Sequence, residues 1–162
     1  MAVKRRETPR PSRKPRKATT DSPKRSKTVK RPAPLTWAES TVSMRPGGGW
    51  RFTLPVVTSA NRQWRMGKGR TYKAKGASMD TKAAALLWRH VVPLVGELSV
   101  NITWHRSQKS GDVDNRIKGT LDLLRGIAYD DDASVARVSC QRVDDGTQAR
   151  LVVDVDNLER AA

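Results

Sequence analysis

The first 34 residues limit what this chain can fold into, because they hold most of its net positive charge and most of its prolines. They contain 13 of the 32 Lys and Arg residues, two of the 16 acidic residues and six of the nine prolines. Without an apolar period, such a segment cannot bury enough surface to offset the entropy of ordering its backbone. We therefore predict a disordered basic arm over residues 1–34 and one folded domain over residues 35–162.

Nothing in the sequence predicts a membrane partner. No run approaches the roughly 18 apolar residues of a membrane-spanning helix, and the N-terminal segment lacks the apolar stretch of a secretory signal. Cys140 is the single cysteine, so an internal disulfide is excluded. We expect a cytoplasmic protein whose net charge of +16 favours an anionic partner.

Alternation of apolar and polar side chains predicts a β-sheet. The alternation is clearest over residues 98–105, where polar residues separate Leu98, Val100, Ile102 and Trp104. Shorter runs predict four further strands, at residues 41–44, 50–54, 136–141 and 151–155. Turn residues at 45–49 separate the first two of these strands, and residues 144–146 predict a hairpin between the last two.

Two segments have the apolar spacing of amphipathic helices. The first covers residues 78–92, with Ser78 as its N-cap and an apolar stripe formed by Ala83, Leu86, Leu87 and Val91. The second covers residues 113–124, with a stripe formed by Val113, Ile117, Leu121 and Leu124. Together with the strands, they predict an α+β fold in which two helices pack on a small mixed, largely antiparallel sheet.

The second helix and the residues after it carry many acids for so basic a chain. Four charged side chains precede this helix or share one of its faces: Asp112, Asp114, Lys118 and Asp122. Gly126 is a plausible C′ residue, and we expect the reversal there to bring the run 130–132 near the first turn of the helix. Such close carboxylates repel one another unless a cation neutralises them, and oxygen ligands suit Mg²⁺. On a basic protein, this predicts phosphodiester chemistry.

Simpler interpretations apply to the same residues. Asp112 or Asp114 could cap the helix and compensate its dipole, and the three later aspartates could form a solvated turn. Residues 58–75 interleave Trp64 and Tyr72 with six Lys and Arg residues, and could be a solvated basic loop. The functional alternative for this loop is DNA binding, in which the cations neutralise phosphates and a ring stacks on an unpaired base.

Taken together, these segments resemble RusA-type Holliday junction resolvases. The similarity lies in D-V-D-N-R-I-K at residues 112–118, in Asp122, and in G-I-A-Y-D-D-D-A-S-V at residues 126–135. Upstream, it extends to F-T-L-P-V-V-T-S-A-N-R-Q-W-R at residues 52–65 and to G-R-T-Y at residues 69–72. The similar segments occur in the same order as in that family and span about residues 50–155.

The resemblance implies a Mg²⁺-dependent homodimer that cuts four-way DNA junctions in recombination and repair. Metal binding is then assigned to Asp112, Asp114 and Asp132. Lys118 joins them in catalysis, where its charge could stabilise the pentacovalent phosphate or orient the attacking water. The DNA-binding positions carried over are Asn61, Arg65 and Arg70.

Within the acidic run, alignment through Gly126, Tyr129 and Val135 places the paired acids of the family at Asp131 and Asp132. Asp130 is then an additional acid that could replace Asp132 as a ligand if the segment is extended. Asp122 is expected to partner Lys118. Two other functions stay open: a less selective metal nuclease for branched DNA, and a DNA-binding protein without catalysis.

Overall fold

The structure, a computed structural model, describes residues 32–107, 111–144 and 146–158. The predicted basic arm over residues 1–34 therefore lies outside the described residues, except for its last three. Within the described ranges, no helix is long and apolar enough to cross a membrane. The elements in chain order are β1 Thr41–Met44, β2 Trp50–Leu54, α1 Ala60–Gln63, β3 Trp64–Gly67, β4 Arg70–Lys73, α2 Lys75–Leu87, β5 Leu98–His105, α3 Asp114–Leu124, β6 Val135–Val143 and β7 Arg150–Asn157.

Five of these strands form one mixed sheet in the order β1-β2-β7-β5-β6. All neighbours are antiparallel except β5 and β6, which are parallel. Leu98 pairs with Val135 and His105 with Val143, so α3 must carry the chain back along the sheet between these two strands. The predicted α+β class, with a largely antiparallel sheet, is confirmed.

The hairpin predicted at residues 144–146 is wrong. Strands β6 and β7 do not pair with each other, because β5 lies between them. Residue 145 lies outside the described residues, and its neighbours 144 and 146 lie in the connection from β6 to β7, past the end of β5. By contrast, the turn over residues 45–49 does join paired strands, with Gly47 and Gly48 at positive φ values of 91° and 85°. Turn residues favour a change of direction, but they do not specify which strand becomes the neighbour.

Helix α2 begins and ends earlier than predicted. It covers Lys75–Leu87, and its N-cap is Ala74 rather than Ser78. Trp88 ends the helix by leaving the helical conformation while it still donates its amide N–H to the Ala84 carbonyl. The error has a physical cause, because the preference of serine for an N-cap position is weaker than the packing that sets where the helix lies.

The buried face of α2 also differs from the predicted stripe. Ala77, Ala84 and the following Trp88 are buried, whereas Leu86 is 67% exposed. The Trp88 ring packs on the Phe52 ring with their centroids 4.9 Å apart. Burying this large ring contributes more than burying a leucine. The packing of Trp88 therefore determines which face of α2 is turned toward the core.

The helices cover one face of the sheet and leave the other face to solvent. The covered face provides core side chains that are at most 1% exposed, namely Phe52, Leu54, Val100, Ile102, Leu151, Val153 and Val155. On the open face, Arg51 donates two hydrogen bonds to Asp154 at 2.6 and 2.7 Å. There, Ser139 also donates to Asn101 at 2.6 Å. Polar cross-strand pairs thus take the place of a second helical layer.

Helix α3 makes a very close contact with the rest of the domain at Gly119. A Cβ atom on this residue would lie 2.9 Å from the Thr58 carbonyl oxygen and 2.9 Å from Gln63 Nε2. Gln63 is buried, and its carbonyl accepts the amide N–H of Ala74 at 2.6 Å, which closes the base of the β3–β4 hairpin. Gly119 therefore lets the base of the hairpin rest directly on α3.

Gly119→Ala tests this contact. At an open helical position, replacing glycine by alanine stabilises a protein by about 1 kcal/mol. Here the added Cβ atom meets the Thr58 backbone, so we expect the free energy of unfolding in urea to fall by about 1–3 kcal/mol. Lys82→Ala, at an exposed position of α2, is the control and should change it by less than about 0.5 kcal/mol. A Gly119→Ala protein more stable than the wild type would contradict the contact.

Candidate catalytic face and nucleic-acid interface

Helix α3 presents a row of charged side chains to solvent. Asp114 is its first residue, Lys118 lies one turn further along, and Asp122 lies one turn beyond that. Lys118 Nζ and Asp122 Oδ1 are 3.8 Å apart, and the two side chains are 66% and 28% exposed. The predicted pairing of these residues is confirmed. Because the pair is largely exposed, it adds little stability and mainly limits where the ammonium group can go.

The segment that enters α3 is positioned by Trp104, near the end of β5. Gly111 has a φ of 100°, and a Cβ atom on it would lie 2.9 Å from the Trp104 ring. The guanidinium groups of Arg116 and Arg106 lie over the same ring, 4.9 and 5.7 Å from its centroid. Since Asp112 directly follows Gly111, the buried tryptophan determines where the chain that carries this carboxylate leaves the sheet.

Arg116 is a residue that the sequence interpretation missed. Its Nη1 group donates to the Val57 carbonyl at 2.7 Å, which ties α3 to the segment after β2. Burial, and then the charge of Arg62, lower the pKa of the Arg116 guanidinium. The group nevertheless stays cationic, because arginine does not lose its proton in proteins. Arg116 belongs to the D-V-D-N-R-I-K motif, but only the fold shows that its side chain joins two segments.

A groove of about 540 Å³, here called the N-terminal groove, opens beside the first turn of α3. Its polar lining includes Thr58, Arg62, Asp80, Asp112, Asn115 and Arg116. Asp80 accepts hydrogen bonds from the Thr58 amide and hydroxyl at 3.1 and 2.9 Å, and from Trp37 Nε1 at 3.2 Å. Asp80 therefore has a structural role. Asp112 is exposed, so its carboxylate can meet a ligand in this groove.

Strands β3 and β4 form a ribbon that carries the predicted DNA-binding arginines. The register pairs Arg65 with Tyr72 and Gly67 with Arg70, which places Arg65, Tyr72 and Arg70 on one face. All three side chains are exposed. This face therefore combines two cations with one accessible ring.

The prediction that residues 58–75 form a loop is wrong, because most of them lie in regular secondary structure. The segment folds as α1 and the β3–β4 hairpin, whose turn is closed by Lys68 and Gly69 at positive φ values of 49° and 71°. Asn61, the third predicted DNA-binding residue, is exposed on α1. The basic side chains thus extend from a defined secondary-structure element rather than from an irregular loop.

The other face of the hairpin encloses a second cavity against α3. Trp64 pairs with Lys73 in the hairpin, and both line a cavity of about 290 Å³. Its other lining residues are Gln63, Lys118, Asp122 and Arg125. We call this cavity the Trp64 pocket. Between it and the N-terminal groove, the contact around Gly119 leaves only about 10 Å³ of space.

The acidic run after α3 forms a tight turn. Asp131 caps the 3₁₀ turn Asp132–Ser134 by accepting the Ala133 amide N–H at 2.9 Å. This hydrogen bond, followed by one with Asp132 and by the charge of Arg125, lowers the pKa of the Asp131 carboxyl. The Asp131 carboxylate therefore caps the turn. Asp132, which is also exposed, lies within the turn.

Tyr129 packs against α3 just before the acidic run, and the strand register shows on which part of α3 the run lies. The Tyr129 hydroxyl donates to the Leu121 carbonyl at 3.0 Å. Burial raises the pKa of Tyr129 most, and the charges of Asp132 and Asp122 raise it further. Val135, three residues after Asp132, pairs with Leu98 at the beginning of β5, whereas α3 begins after the end of β5. The acidic run therefore lies toward the C-terminal end of α3. The prediction that the run returns to the first turn of α3 is wrong, although Gly126 does reverse the chain, with a φ of 76°.

One chain does not assemble the predicted metal site. Asp112 and Asp114 follow the end of β5, whereas Asp132 precedes Val135, which pairs with Leu98 at the beginning of β5. The 11 residues of α3 cover about 16 Å at a rise of about 1.5 Å per residue. In the part of the chain that the structure describes, no group of three or more His, Cys, Asp or Glu residues could hold a metal ion. The carboxylates have the oxygen donors that Mg²⁺ prefers, but they lie in two separate places.

Comparison with known proteins identifies the family. The family described as endodeoxyribonuclease RusA matches residues 53–156, which include the N-terminal groove, the hairpin, α3 and the acidic run. No curated protein matches the chain. Because the match covers more than half of the sequence, the chain belongs to the RusA family of endodeoxyribonucleases.

Proposed function

We propose that this protein resolves four-way DNA junctions by Mg²⁺-dependent hydrolysis of phosphodiesters, as a homodimer, in recombination and repair. The observation that supports this function is the position of α3, with its exposed carboxylates and Lys118, beside a basic hairpin with exposed rings. Carboxylates suit a divalent cation, and Lys and Arg side chains suit DNA phosphates. The surface therefore provides oxygen donors for a divalent cation and positive charges for DNA, which supports a metal-dependent nuclease.

The separation of the carboxylates along α3 supports the homodimer. Asp112 and Asp114 lie at one end of the helix, and Asp132 lies beyond the other end. If the α3 helices of two copies approach in antiparallel orientation, Asp114 of one chain comes near Asp132 of the partner subunit. Two-fold symmetry then creates two equivalent sites, as the cutting of two opposed strands requires. A Mg²⁺ ion bound there would polarise a phosphoryl oxygen and acidify a water molecule.

Lys118 is the proposed catalytic cation. Its side chain is mostly exposed and lies one helical turn from Asp114, so its ammonium group can reach a phosphate held near that carboxylate. There it would stabilise the negative charge that grows on the phosphate in the transition state. Asp122, at 3.8 Å, acts as a positioning residue for Lys118.

Asn61, Arg65 and Arg70 are the proposed DNA-binding residues. Each is exposed, and the two arginines share one face of the hairpin. Contacts with phosphates orient DNA on a protein without reading its sequence. These residues would therefore position the branched substrate relative to α3 rather than select a cleavage sequence.

A DNA-binding protein without catalysis is a second candidate, favoured by the lack of a three-ligand group within the described residues. One assay separates the candidates: cleavage of a four-way junction and of a linear duplex of the same sequence, each with Mg²⁺ and with EDTA. Cutting of the junction alone, and only with Mg²⁺, supports the proposal. Equal cutting of the duplex would indicate a less selective nuclease. Binding without cutting would indicate a protein that lacks catalysis.

Asp114→Asn and Asp132→Asn test whether the catalytic site is shared between subunits. Each variant alone should bind junctions but lose cleavage, because both sites of its homodimer lack one carboxylate. In a mixed dimer, one site carries both substitutions and the other site carries neither. Co-expression of the two variants with different tags should therefore restore nicking of one strand, measured on a labelled junction.

A mixed dimer of Asp112→Asn with Asp114→Asn is the matched control. Both changes lie at the same end of α3, so each site of this dimer is defective and no nicking should return. If tandem purification yields the Asp114→Asn and Asp132→Asn mixed dimer and it is inactive, the shared site is wrong. If Asp114→Asn alone cuts at the wild-type rate, the assignment of this carboxylate is wrong.

The three aspartates of the acidic run should differ in their effects on Mg²⁺-dependent cleavage. Asp132→Asn should eliminate cleavage, because this residue is the proposed ligand. Asp131→Asn should reduce it, because the substitution weakens the hydrogen bond that caps the turn at the Ala133 amide. Asp130→Asn should have the smallest effect. Initial rates measured at equal junction occupancy give the order, and an inactive Asp130→Asn beside an active Asp132→Asn would reverse the assignment.

Removal of residues 1–34 should weaken binding to all DNA and reduce its dependence on salt. The segment carries a net charge of +11. Each phosphate contact that it makes should steepen the plot of log affinity against log salt by about 0.9. Binding isotherms between low and moderate salt measure this slope. An arm of scrambled sequence is the control and should retain it, whereas an unchanged slope after truncation would show that the arm does not bind phosphates.

A further inference from the structure

The Trp64 pocket has an aromatic wall that is open to solvent. Trp64 is 54% exposed, whereas Trp88 and Trp104 are only 2% and 3% exposed in the core. Trp64 is also the first residue of β3, directly after the buried Gln63 that lies against Gly119. Its backbone is therefore held firmly while its ring stays accessible. A planar ligand could stack on such a ring.

Apart from Gln63, the remaining lining of the pocket is charged. Lys73, Lys118 and Arg125 supply three cations, against the single carboxylate of Asp122. Lys73 Nζ donates to the Thr81 hydroxyl at 2.9 Å, and Lys118 lies 3.8 Å from Asp122. The excess of positive charge beside a ring favours a ligand that combines an anionic group with a planar one.

We propose that the Trp64 pocket binds one unpaired nucleotide of branched DNA, which leaves the base stack to enter it. This inference rests on the proposed function, because it assumes that DNA lies along α3. The base would stack on Trp64, and its phosphate would lie among the cations. Asp122 can accept a hydrogen bond from an exocyclic amino group of the base. A volume of about 290 Å³ suits a single nucleotide rather than a stacked duplex.

The hairpin itself provides a matched comparison. Tyr72 is 53% exposed, almost the same as Trp64. The two rings lie on opposite faces of the hairpin. Trp64 lines the pocket with Lys73, whereas Tyr72 lies on the other face with Arg65 and Arg70. A role of the pocket in holding a base therefore predicts an effect of Trp64 that Tyr72 does not share.

Binding of bulged duplexes tests this proposal. The probes are a duplex with one bulged nucleotide and the same duplex with an abasic bulge, measured by fluorescence anisotropy in EDTA. The wild-type protein should prefer the bulge that carries a base by about fivefold to a hundredfold, the range of stacking on one aromatic ring. Trp64→Ala should remove this preference, and Trp64→Phe should keep most of it. Tyr72→Ala should leave the ratio of the two affinities unchanged, even if both affinities fall.

A 2-aminopurine base at the bulge supplies a second readout. Its fluorescence should fall when it stacks on Trp64 in the wild-type complex, and should not fall with Trp64→Ala. Circular dichroism checks that this variant is folded. Equal affinity of the wild type for both bulges, or loss of the preference in Tyr72→Ala as well, would overturn the proposal. Because EDTA prevents cutting, the result does not depend on whether the protein proves to be a nuclease.

Discussion

The parallel pairing of β5 with β6 is the constraint on which the arrangement of this domain depends. Two parallel neighbours cannot be joined by a tight turn, so the chain crosses back over the sheet through α3. The first acidic motif then falls at the end of β5, and the acidic run falls before the beginning of β6. Their separation by the length of a helix therefore follows from strand direction. This separation is the reason for proposing that two subunits share the catalytic site.

The candidate catalytic face is positioned by a few close contacts that depend on residue size. Gly111 lets the chain pass against the Trp104 ring, and Gly119 lets the base of the hairpin rest on α3. Arg116 combines both connections, because its guanidinium lies over Trp104 and donates to the Val57 carbonyl. The exposed charges thus stand on a dense layer of aromatic, glycine and backbone contacts. Such support keeps functional groups in defined positions without burying them.

The sequence predicted those elements whose signals are local. Strands β1, β2 and β5 match the prediction, because one-sided burial imposes alternation on each strand by itself. Helix α3 also matches closely, since Ile117 and Leu121 pack on the core and Leu124 is buried. The errors involve partners distant in the chain: Trp88 rotates α2 toward Phe52, and β5 separates β6 from β7. The candidate site shows the same division, because its charged residues stand out in the sequence, whereas their grouping and the contacts of Arg116 depend on the fold.

If DNA lies along α3 as proposed, the length of this helix sets a distance along the DNA strand. The 11 residues of α3 cover about 16 Å, and successive phosphates of one DNA strand advance by about 3.4 Å. A strand lying along the helix would therefore pass about five phosphates from one end to the other. The register between a held nucleotide and the cut phosphate would then be set by helix length. Lengthening α3 by one turn, about 5.4 Å, would move that register by roughly one and a half nucleotides.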